Sequence, residues 1–159
     1  MRRKQLDHMQ CSIAKALDVV GDPWTMLILR DALLGVNRFE DFSTRLGVPR
    51  ATLTARLDHL CAAGVLERRR YQERPPRDEY ALTDKGRALR PVVVTLMRWG
   101  DEWIRDDDPP TLLVDEATGA RIDPVLVDRA TGTALDDLEV RAIGAVTAGI
   151  TVRGADRAL

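Results

Sequence analysis

Residues 39–66 read FEDFSTRLGVPRATLTARLDHLCAAGVL, and two amphipathic segments separated by a glycine can be picked out of them. Phe39, Phe42 and Leu46 recur at helical spacing, so a first short helix buries one apolar stripe and leaves Glu40, Asp41 and Arg45 towards water. Gly47 ends it. Pro49 suits the first position of a second helix, on which Leu53, Leu57 and Leu60 fall i, i+4, i+7 and share one face. Two helices that pool such stripes make a helix-turn-helix; the bland alternative is an ordinary helical hairpin. On the second helix Ala51 and Ala55 point outward, flanked by Thr52 and His59 on one side and Thr54 and Asp58 on the other. A protein partner would call for long aliphatic side chains there. Short ones let a helix approach base edges in a major groove about 12 Å wide.

The flanking sequence supplies a frame for this pair. Upstream, Ile13, Leu17 and Val20 predict an amphipathic helix over 11–20 that Gly21 closes. Asp22 is a favoured N-cap and Pro23 a favoured first residue, so PWTMLILRDALL, residues 23–34, is expected as a helix apolar around most of its girth and therefore central. Downstream of Gly64 the period becomes extended: residues 65–71 and 78–82 predict a hairpin with 72–77 as its loop. Pro75 and Pro76 are assigned to the tip because both cannot join a sheet ladder. Arg68, Arg69, Arg70, Arg74 and Arg77 stud this hairpin. A charge run is usually a solvated face, but here it follows a candidate recognition helix, where phosphate contacts belong. Thr83 caps a further helix over 84–104, with a kink allowed at Pro91 and with Leu89, Val92, Leu96, Trp99 and Trp103 on one stripe. The two tryptophans are expected to be buried, by the monomer's own core or by a dimer contact.

Charge divides the chain. Residues 1–105 hold 19 Lys and Arg against 14 Asp and Glu, a net of +5, while residues 106–159 hold 5 against 11, a net of −6. Only the first part suits a polyanion, and the near-zero overall charge hides this. No apolar run is long enough for a membrane span and the basic start, Met1 to Lys4, leads into Gln5, Asp7 and His8 instead of a signal-peptide core, so a cytoplasmic protein is expected. Cys11 and Cys61 lie too far apart in sequence for a metal knuckle or a disulfide framework. A Gly-rich phosphate loop, a nucleophile elbow and a metal-ligand cluster are all missing from the sequence, which leaves an enzymatic reading without support.

Beyond Pro110 a short repeat occurs: LVDEATG at 113–119 returns as LVDRATG at 126–132. Each unit reads as a strand entering a Gly turn, and the two facing each other would make a small hairpin layer. Residues 136–159, rich in Ala, Gly and Val, receive no assignment.

Assembled, the elements resemble the HxlR-type winged-helix transcriptional regulators of bacteria. The resemblance rests on Cys11, on Gly21 to Trp24, Leu27 to Arg30, Arg38-Phe39 with Phe42, and Leu53 to Leu60 running into Gly64 to Arg68. It continues through Tyr71 to Tyr80 and Leu82 to Gly86, covering about residues 10–105. It implies a homodimer whose N-terminal and post-wing helices pair across a two-fold axis. Ile13, Leu17, Leu89, Val92, Leu96, Trp99 and Trp103 would then form the interface, and two recognition helices would meet an inverted-repeat operator in double-stranded DNA. The segment after Pro110 looks like a zinc-ribbon-like extension of some relatives, yet Asp115 to Gly119 and Asp128 to Gly132 stand where cysteines would be expected, so no metal and no cofactor are predicted.

Cys11 matches a position at which some relatives sense electrophiles or oxidants. Sensing would need a thiolate, which Arg2, Arg3, Lys4, Lys15 and the helix start would favour; the alternative is a small buried hydrophobe, as expected for Cys61. The fold class expected is mainly α (α+β), a winged helix-turn-helix with flanking dimerisation helices over 1–106 and an acidic β-hairpin extension and tail over 107–159. Arg50, Thr52, Thr54, Ala55 and Arg56 on the second helix and Arg69, Arg70, Arg74 and Arg77 on the wing are the candidate DNA contacts. The function expected is a sequence-specific transcriptional regulator, a repressor under small-molecule or thiol control; the alternative is an interaction adaptor that uses the acidic C-terminal segment.

Overall fold

The computed structural model describes Met9 and residues 11–140, and it divides between Val93 and Val94 into two compact units. The first is built on α1 (Ser12–Val20), α2 (Pro23–Leu33), α3 (Phe39–Leu46), α4 (Arg50–Ala62), β1 (Leu66–Glu73), β2 (Pro76–Leu82) and α5 (Asp84–Arg87). A longer helix, α6 (Arg90–Trp103), starts in the first unit and ends in the second.

Helix α2 is central, as its composition requires. The Asp22 carboxylate accepts from the backbone N–H groups of Trp24 at 3.0 Å and Thr25 at 3.3 Å, satisfying two donors that the first turn leaves open. Ile28 and Leu29 are fully buried and pack with Phe42 of α3 and Leu53, Leu57 and Leu60 of α4. Each such aliphatic side chain contributes about 2 kcal/mol of burial. The α3–α4 turn follows from Gly47, whose φ of 62° an L side chain rarely adopts and whose N–H donates to the Ser43 carbonyl. Pro49 stands one residue earlier than expected. It is the N-cap, with its carbonyl accepting from Leu53 N–H at 3.0 Å, and Arg50 opens α4.

The wing is longer than the sequence suggests. Its antiparallel ladder runs from Leu66↔Leu82 to Arg70↔Asp78, bulges at Tyr71, and resumes at Gln72↔Arg77 and Glu73↔Pro76. Only Arg74 and Pro75 remain as turn, so the expected six-residue loop is corrected to strand on both sides. Pro76 tolerates this because it is the first residue of β2, a place where a sheet accepts proline. Tyr80 N–H also donates to the Asn37 carbonyl at 2.7 Å, and Arg38 bridges to Glu79, which fastens the wing beside the start of α3.

The helix expected over 84–104 is two helices. Pro91 has no N–H to continue the ladder and its ring would meet the Arg87 carbonyl, so α5 stops at Arg87 and Pro91 becomes the second residue of α6. Thr83 caps α5 through Gly86 N–H at 3.1 Å. Among the stripe residues, Leu89 packs on the first unit's core, whereas Val92, Leu96, Trp99 and Trp103 are 51%, 52%, 54% and 68% exposed. The expectation that the monomer's own core buries the tryptophans therefore fails. Ile13 on α1 is 70% exposed as well, and Leu17 is 41%.

In the second unit each copy of the repeat closes on itself, correcting the expected layer of two facing copies. Val114 bridges to Arg121 around Gly119, and Val127 to Ala134 around Gly132. Asp115 accepts from Ala117 N–H at 2.7 Å, while Asp128 accepts from both the N–H and the hydroxyl of Thr131. An Asp side chain that can satisfy its own turn needs no partner strand, which is why each copy makes its own small hairpin. A three-residue 3-10 turn, Leu135–Asp137, follows; of the unassigned stretch 136–159, residues 141–159 lie outside the described residues. No described helix is long and apolar enough to cross a membrane.

Gly86 tests how tightly α5 is seated. A Cβ there would lie 2.3 Å from the Val65 carbonyl oxygen and 2.8 Å from a Leu82 methyl, and the backbone oxygen cannot swing aside. We expect Gly86→Ala to lower stability by about 2 kcal/mol. Gly100→Ala, on an open part of α6, should be neutral or stabilising. Denaturant midpoints that fall equally for both variants would contradict this packing.

Candidate nucleic-acid interface

Helix α4 turns Leu53, Leu57 and Leu60 inward, which leaves Ala51, Thr54, Ala55 and Asp58 exposed and Thr52 and His59 half-buried on one flank. The exposed face carries no bulky side chain, the shape that entry into a groove requires. His59 does not extend into solvent. Its Nε2–H donates to the Val19 carbonyl of α1 at 3.0 Å, tying α4 to α1.

The arginines of α4 are both engaged. Arg50 sends its two terminal nitrogens to the two Glu40 oxygens, each at 2.8 Å, and its guanidinium carbon lies 4.6 Å from the centre of the Phe39 ring. The hydrogen bond to Arg50 holds the Glu40 carboxyl below its ordinary value, and Glu40 raises Arg50 in turn. Arg56 pairs with the other Asp22 oxygen at 3.0 Å, and its Nε is buried without a partner among the described residues. Arg56 thus leans back onto the start of α2, away from the face that Ala51 and Ala55 define.

The wing sorts its arginines in the same way. Arg68 pairs with Asp58 of α4 and lies 5.4 Å from the Tyr80 ring centre, Arg69 pairs with Glu67, and Arg70 Nε donates to Asp78 at 3.1 Å. Arg74 and Arg77, near the tip, have no ion pair among the described residues and are exposed. Arg38 lies 4.9 Å over the ring of Tyr71, the bulge residue. Between wing and helices runs an open groove of about 570 Å³, lined by Arg38, Phe39, Glu40, Arg50, Thr54, Tyr71 and Arg77 among others. Sequence reasoning placed the basic residues here. It missed Glu40, Phe39, Arg38 and Tyr71, whose pairings depend on where α3 meets the hairpin and leave no periodic mark.

Cys11 is the half-buried N-cap of α1 and makes no side-chain capping bond, while the basic stretch Arg2 to Lys4 lies outside the described residues. Burial pushes the half-buried Cys61 thiol up, partly offset by Arg68. No group of three or more His, Cys, Asp or Glu among the described residues is placed to hold a metal. In the second unit a cavity of about 240 Å³ lies between Met97, Arg98, Leu112 and Ile122, below the roughly 300 Å³ at which small-molecule sites begin.

A helix pair with an exposed small-residue face, followed at once by a basic β-hairpin, is a winged helix-turn-helix. The HxlR-like helix-turn-helix family matches residues 19–108, and the chain belongs to that family of DNA-binding transcriptional regulators. The uncharacterized HTH-type transcriptional regulator Rv3095 of Mycobacterium tuberculosis is 45% identical over 116 residues, 72% of this chain and 73% of that protein. The crystal structure of PA1607, a candidate transcription factor, is 36% identical with a TM-score of 0.75 over 87% of this chain and 99% of its own. The redox regulator HypR in its oxidized form is 35% identical with a TM-score of 0.55, over 61% of this chain and 100% of its own.

Arg56 is the candidate contact that the fold itself uses. Removing it as Arg56→Ala leaves the Asp22 carboxylate with its capping bonds only, at an expected cost on the order of 1 kcal/mol. The salt dependence of DNA binding should stay as it is. A slope shallower by about 0.9 would instead place Arg56 on a phosphate.

Proposed function

We propose that the chain is a sequence-specific regulator that binds double-stranded DNA as a homodimer, inserting α4 into the major groove and resting the wing on the adjacent backbone. The observation that carries this is the pairing of a small, exposed α4 face with a wing tip whose exposed Arg74 and Arg77 form no ion pair among the described residues. Thr52, Thr54, Ala55 and Arg50 are the base-side residues, read mainly over the first turns of α4. Arg69 and Arg70 stand on the wing but share their charge with Glu67 and Asp78, so Arg74 and Arg77 supply most of the phosphate attraction. The regulatory module spans residues 1–106 and the acidic extension 107–159; the protein acts in the cytoplasm, as a repressor.

The dimer rests on exposed apolar side chains: Ile13 and Leu17 on α1, and Val92, Leu96, Trp99 and Trp103 on α6. A monomer would leave that surface in water, and association would remove it. Leu89 contributes from beneath by seating the start of α6 on the core. Control by a small molecule or by thiol chemistry at Cys11 is the further part of the reading, supported by the half-buried N-cap position of Cys11 and by the likeness to HypR.

Two measurements test this. Substituting Arg74 and Arg77 together with alanine should shallow the dependence of log K on log salt by roughly 0.9 per lost contact while operator preference survives. An unchanged slope would mean that the wing tip does not reach the duplex. Sedimentation at micromolar concentration should show a dimer that Trp99→Asp splits. A monomeric wild type would remove the basis for an inverted-repeat operator with half-sites a helical turn, roughly 34 Å, or a multiple apart.

A further inference from the structure

The corner where α3 meets α4 is built in a way that attraction to DNA alone does not require. Arg50 sits at the first position of α4, exposed, where a free guanidinium would reach for phosphate. Instead it is held from two directions. Glu40 takes the two terminal nitrogens end-on at 2.8 Å each, and the Phe39 ring lies 4.6 Å from the guanidinium carbon. The Phe39 ring packs against the core, so the platform is itself fixed. Glu40 uses one hydrogen on each terminal nitrogen; Nε–H and the outward hydrogens of the fork are not used by it.

We infer that Glu40 and Phe39 turn Arg50 into a base reader, Glu40 acting as a positioning residue that cancels its net charge and fixes its plane so that the free edge, Nε–H with the outward N–H beside it, addresses guanine instead of phosphate. Binding to phosphate is driven by release of counterions, and a guanidinium already neutralised by a carboxylate releases few. What remains is directional hydrogen bonding, and guanine O6 with N7 presents an acceptor pair that the two parallel N–H donors of that free edge match. A carboxylate at this edge also repels backbone oxygens, which penalises binding in any other register. The inference rests on the proposal that α4 enters the major groove.

Glu40→Gln tests it, because Glu40 is exposed and the change keeps size while removing charge. The probes are a duplex enriched by the wild-type protein from a random-sequence pool, a scrambled duplex of the same composition, and the enriched duplex with single guanines replaced by 7-deazaguanine. The variant should bind the scrambled duplex more tightly, with a salt slope steeper by about 0.9. Its preference for the enriched duplex should fall about tenfold. At one guanine in each half-site the wild type should lose affinity on 7-deaza substitution and the variant should not. In an Arg50→Ala background Glu40→Gln should no longer lower the preference, an outcome that a merely structural role for Glu40 would not produce. Unchanged preference and slope in the single variant overturn this inference alone. A wild type that enriches no sequence overturns the groove reading and this inference with it.

Discussion

Helix α2 holds the helix-turn-helix by a carboxylate at either end. Near its start Asp22 caps the helix with one oxygen and pairs with Arg56 of α4 through the other. Near its end Asp31, fully buried, accepts from Arg30 at 2.9 Å and from Arg45 of α3 at 3.2 Å. A buried carboxylate is costly unless both oxygens are satisfied, and here each oxygen has its own guanidinium. Those guanidinium groups stay half-exposed and keep much of their hydration, so the arrangement is a geometric constraint more than a large source of stability. Its consequence is that α3 and α4 are both referenced to one rigid helix. With the leucine face of α4 on Ile28 and Leu29, neither helix of the pair can shift without breaking an ion pair or opening the core.

The same logic governs the surface charge. Five arginines stand on the wing, yet Arg68, Arg69 and Arg70 each have an acidic partner. Arg50 is neutralised by Glu40 in like manner. Among the five wing arginines, only Arg74 and Arg77 therefore form no ion pair with the described residues, and the other three help to fix the shape of the hairpin. Such an allocation suits recognition by geometry: a field that is too strong binds every sequence.

Much of this was legible in the sequence because local rules carry it. Asp22-Pro23 marks a helix start and Gly47 a helix stop by backbone chemistry that needs no tertiary context, and the spacing of Leu53, Leu57 and Leu60 fixes the buried face of α4. Errors came where the pattern left a local choice open or where distant residues decide. Pro91 splits the helix it was expected only to kink, and Pro76 joins a strand because the register with Glu73 allows it. The repeat copies close singly because Asp115 and Asp128 satisfy their own turns. The side-chain pairings of Arg50, Arg56 and His59 were invisible, since a partner 10 to 40 residues away leaves no pattern in the chain. Family membership is shown by the match over residues 19–108, and it agrees with the reading from residues.

The central claim is that α4 reads sequence while the wing grips backbone, on both halves of a two-fold site. The most direct measurement is a hydroxyl-radical footprint of the purified protein on the DNA upstream of its own gene, combined with methylation interference at guanine N7. The account predicts two protected backbone patches related by a two-fold axis, about one helical turn or a multiple apart, with interfering guanines in the major groove of each. Uniform weak protection along the fragment, with no interfering guanine, would contradict it.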